Sequence, residues 1–576
     1  MTEKDVSRLS PVEKLKTESR FLRGTIAEEL VNDLPNFDSG SVQILKHHGM
    51  YQQDDRDKRM ANREKGIKDK AYMMMLRTRI PGGKLTSEQM LAEIELCDEL
   101  GDSTLRLTTR QAIQLHGIFK DDLKQTIRRI NDVQLSTLGA CGDVNRNVMC
   151  CPAPYRSKIY DDIQLLADQI SEHFLPRTTA YHELWLKGLE NGEKELVGGG
   201  RQGHEIEPLY GSTYLPRKFK TAIGLTYDNC IDIYTNDLGF LAVVQDDEIV
   251  GYNILVGGGM GITPAKKTTF PGLAKKLAFA RPDEVIAIGE AIVKVQRDFG
   301  SRADRKHARM RYLINQWGMD RFKNQVADYY GAALRDPHAE DVSGFNDHMG
   351  WDEQGDGKWF YGLNVENGRV WDNDRFQLKS AIREICETLQ PEIRLTSHQS
   401  LIFAQIKEED RGKLTNILTK YKVKLSEDYS TVRRWSMACV AWPTCGLAIT
   451  ESERALPVMM DQFESELAKI GLSSEEFTVR MTGCPNGCAR PYNPDIGLVG
   501  KAKNRYTIYL GGRLLGNRLG FIYKDLVQFE DLVPELMNVM TLFKANRLDG
   551  ETLGDYCDRI GKEPLLEQVE DLRSVD

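Results

Sequence analysis

The sequence has no apolar run near the ~20 residues that a bilayer core requires, which excludes a membrane-spanning helix. It has no excess of positive charge. Seventy-seven Lys and Arg stand against 85 Asp and Glu, a net charge of −8 and a pI of about 5.8. A nucleic-acid binder shows the opposite balance or a basic stripe. Low-complexity tracts and heptad repeats are missing as well. The first residues, MTEKDVSRLS, lack the apolar centre of a secretory signal, so a cytoplasmic location is expected. No G-x-G-x-x-G follows a strand-like run, and the LVGGG runs at 196–200 and 255–259 read as tight backbone corners rather than a dinucleotide site. The eleven cysteines are odd in number and follow no export signal, which argues against a disulfide framework.

What is present is a globular chain of 576 residues, 41% hydrophobic, long enough for three or four domains. Its organisation shows in an internal echo. Leu105 to Gln111 (LRLTTRQ) returns as Ile393 to Gln399 (IRLTSHQ), 288 residues later and half the chain length, and at that offset Cys151 falls on Cys439. Before the first copy a strand-like run, Tyr72 to Ile80, precedes a helical run from Ser87 to Leu100, with Thr86 and Gln89 spaced as a capping box. Before the second, Trp359 to Val365 precedes a turn at Asn367-Gly368 and a helical run from Phe376 to Leu389. The expected fold is mixed α/β with a duplicated half-domain. It comprises an arm at 1–65, helical near Val12 to Leu30, then half-domains at 66–130 and 345–410. Each is followed by a larger mixed domain, at 140–340 and 420–576, and 335–357 reads as a loop into the second repeat.

Four cysteines form two close pairs, Cys439-x5-Cys445 in SMACVAWPTCG and Cys484-x3-Cys488 in TGCPNGCARP. Two thiolate pairs on two loops suit a soft metal centre, either an iron–sulfur cluster or zinc, although C-x5-C is wide for zinc. Unrelated buried cysteines are the remaining reading, with Gly483, Pro485 and Gly487 favouring a tight turn over a core strand.

TGCPNGC with SMACVAWPTC resembles the cluster signature of the sirohaem sulfite and nitrite reductase family. KHHGMYQQDDRD at 46–57, RTRIPGGKLT at 77–86, RLTTRQAIQLHG at 106–117, NRNVMCCP at 145–152, YLPRKFKT at 214–221 and SRADRKHARMRY at 301–312 resemble its other blocks, in order. Within the family the likeness is to the haemoprotein (beta) component of the assimilatory sulfite enzymes. The resemblance implies two paired ferredoxin-like half-domains and two larger domains around a sirohaem. It makes Cys439, Cys445, Cys484 and Cys488 the ligands of a 4Fe-4S cluster, with Cys488 also axial to the sirohaem iron. It implies a carboxylate-rich sirohaem (siroheme) held by Arg106, Thr108, Arg110, Gln114, His116, Arg217, Arg302, Arg305 and Asn486. It nominates Arg79, Arg146, Lys218 and Lys220 as the residues that bind sulfite and relay protons.

The implied reaction is the six-electron reduction of sulfite to sulfide in sulfate assimilation and cysteine biosynthesis. Electrons would come from NADPH through a separate flavoprotein (alpha) component, or alternatively from ferredoxin, within a hetero-oligomer. Two rivals remain: a sirohaem nitrite reductase, against which Lys218-Phe219-Lys220 speaks, and a non-catalytic, zinc-stabilised binding protein.

Overall fold

The computed structural model describes residues 9–181, 183–187, 194–199 and 207–575. The first eight residues of the expected arm and Gly200 of the first LVGGG run lie outside the described residues. Among the described residues no helix is long and apolar enough to cross a membrane.

Two five-stranded sheets have one plan. The first runs, in spatial order, Met50–Asp54, Tyr72–Thr78, Ile113–Ile118, Leu105–Leu107 and Arg369–Val370. The second runs Gly350–Glu353, Lys358–Leu363, Leu401–Lys407, Glu392–Leu395 and Lys84–Leu85. The last strand of each comes from the other half of the chain: Val370 pairs with Leu105, and Leu85 with Ile393. The expected capping box forms, Thr86 Oγ1 accepting from Gln89 N at 3.1 Å while Gln89 Oε1 accepts from Thr86 N at 3.0 Å, and it starts the helix Ser87–Glu99. The matching helix, Leu378–Leu389, begins two residues later than the periodicity suggests. Side chains from both halves share one core, with Leu76, Ile94 and Leu105 packed in the same cluster as Ile382, Ile393 and Phe403.

The two remaining large sheets repeat each other too. In one, Thr221–Leu225 runs parallel to Leu238–Gln245, and Glu248–Val256 and Lys275–Ala280 follow antiparallel. A parallel bridge from Met149 to Ala222 extends its free edge. In the other, Met437–Ala438, Val479–Thr482 and Ile496–Ala502 are parallel, and Arg505–Leu510 and Phe521–Gln528 follow antiparallel. Thr221 pairs with Leu238 and Val479 with Ile496, a separation of 17 residues in both. The central parallel strands are buried throughout, as strands covered on both faces must be.

The arm is more than a helical lead. Besides helices Pro11–Glu18 and Ser39–Leu45 it supplies Met50–Asp54 as an edge strand and ends in helix Arg56–Glu64. Lys16 is fully buried and donates to the Leu215 carbonyl at 2.6 Å, and its ion pair to Glu13 spans 2.7 Å.

Candidate functional site

The four cysteines stand where two parallel strands end side by side. Met437 and Ala438 pair with Arg480 and Met481, so Cys439 leaves one strand beside Cys484, which follows the other. Cys439 N donates to the Met481 carbonyl at 3.2 Å, and Gly483 N points at Cys439 Sγ from 3.4 Å. A side chain at Gly483 would meet the Thr450 carbonyl at 2.4 Å and Ala441 Cβ at 2.5 Å, so only glycine lets the two loops close. Asn486 Nδ2 lies 3.4 Å from Cys484 Sγ.

Burial and then the neighbouring Cys488 thiol push the Cys439 and Cys445 thiols up, and Cys484 up to about 11. Four thiols so placed resist ionisation together unless cations are held between them. They stand wider apart than the ligands of one ion: among the described residues, the group of Cys, His, Asp and Glu atoms gathered within 4.8 Å lies elsewhere. The donor set therefore fits a polynuclear cluster better than zinc. Three thiols are buried or half-buried, whereas Cys488 is exposed.

The arm locks this site. Arg56 donates to the carbonyls of Pro443 (2.9 Å), Ala448 (3.0 Å) and Cys445 (2.7 Å), and its guanidinium stacks 3.6 Å from the Trp442 ring centre. Asp57 takes the Trp442 indole N–H at 2.7 Å and pairs with Arg454 at 2.8 Å.

Around the open Cys488 thiol gathers a wall of cations. Phe219 pairs with Asn145 and is buried, so Lys218 and Lys220 face the other way. Burial first, then Arg146, Arg309 and Arg217, push Lys218 well down; burial, Arg110, Lys218 and Arg309 do the same to Lys220, and Cys488 opposes both. The nearby carboxylate of Asp237 is committed to Arg309, at 2.8 and 2.7 Å. Arg110 donates to Asn236 Oδ1 at 2.7 Å and to the Asn147 carbonyl at 2.6 Å, leaving its buried Nε without a partner among the described residues. Burial and neighbouring arginines lower Arg106 and Arg110 to about 9, and burial lowers Arg217 to about 10, so all three stay charged at neutral pH. Glu453 offsets the charge of Arg106, but buried cations still outnumber the carboxylates bonded to them here; such charge is expensive, and it calls for a polyanion. A macrocycle bearing many carboxylates fits it.

The other expected contacts distribute unevenly. Arg106 is only 2% exposed; it pairs with Glu453 and donates to the Ala438 carbonyl at 2.8 Å. Thr108 Oγ1 turns the chain by accepting from Arg110 N and Ala112 N, both at 3.2 Å. Gln114, its amide oxygen turned to Arg77, accepts from Nε at 3.1 Å. His116 Nδ1 meets Gln53 Oε1 at 3.2 Å while its Nε2 is buried without a partner. Arg146 reaches the Gly142 carbonyl at 3.2 Å and borders Lys218. Arg305 borders Arg217 but is held by Asp143 at 2.7 Å.

Two expectations fail. Arg79 does not join the cations around Lys218. The strand ends at Thr78, Arg79 N bonds the Ser136 carbonyl at 2.7 Å, and the guanidinium donates to the Ser171 carbonyl and hydroxyl in the last turn of helix Lys158–His173, where the helix dipole favours a cation. Arg77, two residues earlier, borders Arg106 and Arg110 instead, with its Nη1 3.1 Å from Cys141 Sγ and a bond to Gln114. Strand alternation puts both arginines on one face and cannot choose between them. Arg302 is likewise spent elsewhere, on Glu13 of the arm and the carbonyls of Tyr214 (2.7 Å) and Arg297 (2.8 Å). Arg309, within the SRADRKHARMRY block but not among the expected contacts, stands against both lysines.

Comparison with known proteins agrees with this layout. The family "Nitrite and sulphite reductase 4Fe-4S domain" matches residues 141–334 and 430–575, and "Nitrite/Sulfite reductase ferredoxin-like half domain" matches 65–133 and 352–421. The sulfite reductase [NADPH] hemoprotein beta-component of Geobacillus kaustophilus is 43% identical over 98% of this chain and 97% of its own. Its counterpart in Staphylococcus haemolyticus is 42% identical over 97% and 96%. The solved structure of the Mycobacterium tuberculosis NirA protein has a TM-score of 0.78 and 24% identity, covering 97% of both chains, and has the same fold.

Proposed function

The chain belongs to the nitrite and sulphite reductase family, and from that premise we propose how its residues reduce sulfite to sulfide as a haemoprotein component using sirohaem and a 4Fe-4S cluster. When bound, the two groups supply one-electron transfer and an iron to hold sulfur through the passage of six electrons. Cys439, Cys445, Cys484 and Cys488 would hold the cluster. Cys488, the exposed thiol of the four, would also hold the haem iron, and Arg106, Arg110, Arg217, Thr108, Gln114, His116 and Asn486 would line the macrocycle.

The observation that carries the substrate assignment is the meeting of Lys218, Lys220, Arg146, Arg110 and Arg309, with Asp237, the carboxylate beside them among the described residues, committed to Arg309. Such a wall binds a small dianion and stabilises the charge that builds on oxygen as each S–O bond weakens. The lysines, with proton affinity lowered by burial and by the neighbouring cations, hand protons to departing oxygens more readily than ordinary lysines do. Arg77 joins this set in place of Arg79. Electrons would arrive from a flavoprotein partner drawing on NADPH. Ferredoxin is the other donor of suitable chemistry, and the assembly would be a hetero-oligomer.

The test is kcat/KM for sulfite and for nitrite, measured on reconstituted holoprotein with an artificial low-potential donor. A preference for sulfite with sulfide as product supports the reading. A preference for nitrite moves the protein to the other branch. Cys488→Ser removes the coupled haem–cluster signal while Cys97→Ser leaves it, and equal effects would sink the ligand assignment.

A further inference from the structure

A second set of metal-binding side chains lies away from the four cysteines. Cys151, Asp228, Cys230 and His348 bring one ligand atom each to within 4.8 Å of one another, and all four are buried. Cys151 Sγ is 3.1 Å from Asp228 Oδ2 and 3.5 Å from His348 Nε2, and those two atoms are 2.9 Å apart. The edges of a tetrahedral zinc site with sulfur, nitrogen and oxygen ligands measure about 3.3–3.8 Å, so shifts of a few tenths of an ångström among Cys151, Asp228 and His348, with Cys230 closing in from within 4.8 Å, would complete one. We propose that Cys151, Asp228, Cys230 and His348 form a structural zinc site.

The arrangement is built for a metal and not for nucleophilic catalysis. Cys151 and Asp228 converge on the same ring nitrogen of His348, whereas a catalytic triad uses the two nitrogens separately. The four residues are 2–4% exposed, which leaves no approach for a substrate. The other carboxylate oxygen, Asp228 Oδ1, is fixed by Cys230 N at 3.0 Å and Asn346 N at 3.1 Å, so Oδ2 is aimed at the centre. Metal sites commonly orient a ligating carboxylate in this way. His348 N donates to Asn346 Oδ1 at 2.8 Å, which fixes the backbone of the segment that delivers the ring.

The duplication gives independent support. The parallel bridge Met149–Ala222 corresponds to Met437–Arg480, 288 residues separating Met149 from Met437. Cys151 lies two residues after the first bridge, as Cys439 lies two after the second. Cys230 lies eight after Ala222, as Cys488 lies eight after Arg480. The new site therefore occupies, in the first large domain, the place that the cluster cysteines occupy in the second. It has two thiols instead of four, in a tighter group, and takes its histidine from the segment leading into the second half-domain. Two thiolates, an imidazole and a carboxylate in tetrahedral reach select zinc over magnesium or calcium. The ion would pin that segment to the first large domain, where Asn229 N already bonds the Gly344 carbonyl at 2.9 Å.

The holoprotein, purified from zinc-sufficient cells without chelator, should hold about one zinc per chain beyond its iron by elemental analysis. The zinc K-edge fine structure should show two sulfurs at about 2.3 Å and two nitrogen or oxygen ligands at about 2.0–2.2 Å. Cys151→Ser combined with Cys230→Ser should reduce zinc at least tenfold, while Cys97→Ser retains it. If the double variant does not fold, the shell of the unaltered protein decides alone. Zinc below a tenth of an equivalent after incubation with the ion under reducing conditions would overturn the proposal. So would a four-sulfur shell, which would place the ion at the cluster cysteines, or a 2 Da mass loss mapping to a Cys151–Cys230 disulfide.

Discussion

Lys218 and Lys220 show how little sequence separates a surface strand from a cluster of crowded cations. PRKFK reads as an exposed basic strand until Phe219 is seen to anchor it, leaving both lysines among neighbouring arginines. Lys220→Asn is expected to lower kcat/KM for sulfite by about 10²–10³-fold, the usual loss for one donor to a developing anion, and to shift the ratio toward nitrite. The exchange of Arg77 for Arg79 makes a sharper comparison. Arg77→Ala should cost activity by about 10²-fold with little change in unfolding temperature. Arg79→Ala should do the reverse, because it strips a helix end of its cation. Equal kinetic losses would restore Arg79 to the substrate site. Away from the site, burial pushes Glu93 up to about 7 despite the hydrogen bond from Thr78. A carboxyl raised in the folded state contributes stability below its unfolded pKa near 4, and that contribution is lost as pH rises through about 7. Glu93→Gln should therefore match the parent near pH 4 and gain on the order of 3 kcal/mol above pH 8, read from urea unfolding at the two pH values.

At the level of elements, legibility followed sequence distance. The capping box at Thr86, the helix it starts and the two cysteine loops are local patterns, and each formed where the spacing placed it. The edge strand Met50–Asp54 and the Arg56 clamp depend on partners that no periodicity reveals, since Arg56 bonds carbonyls nearly 390 residues away. Arg106 alternates with Leu105 and Leu107 along its strand, yet its burial follows from a second layer closing over it. The clamp can be tested. Arg56→Ala removes three charged hydrogen bonds and a ring stack, an expected cost of about 2–4 kcal/mol, and the cluster loop should open more often. Iron release to a chelator should then be several-fold faster than in the parent, and an unchanged rate would show that the loop holds without the arm.

For the whole molecule, the 288-residue echo announced duplication but not its manner of joining. Each ferredoxin-like sheet is completed by a two-residue strand from the other half, and the two share one core. Residues 1–345 made alone should accordingly be insoluble or molten, and co-expression with 346–576 should recover soluble complex, seen as co-elution on size exclusion. A well-folded isolated half would show the exchanged strands to be ornamental.

The exchange also imposes a schedule on synthesis. Leu105–Leu107 is made about 260 residues before Arg369–Val370, the strand that covers its outer side. At roughly 5–20 residues per second the ribosome leaves that flank open for about 13–50 s. Sheet edges bare for so long invite pairing with other chains, so the nascent protein should depend on chaperones during that interval more than its finished stability would suggest.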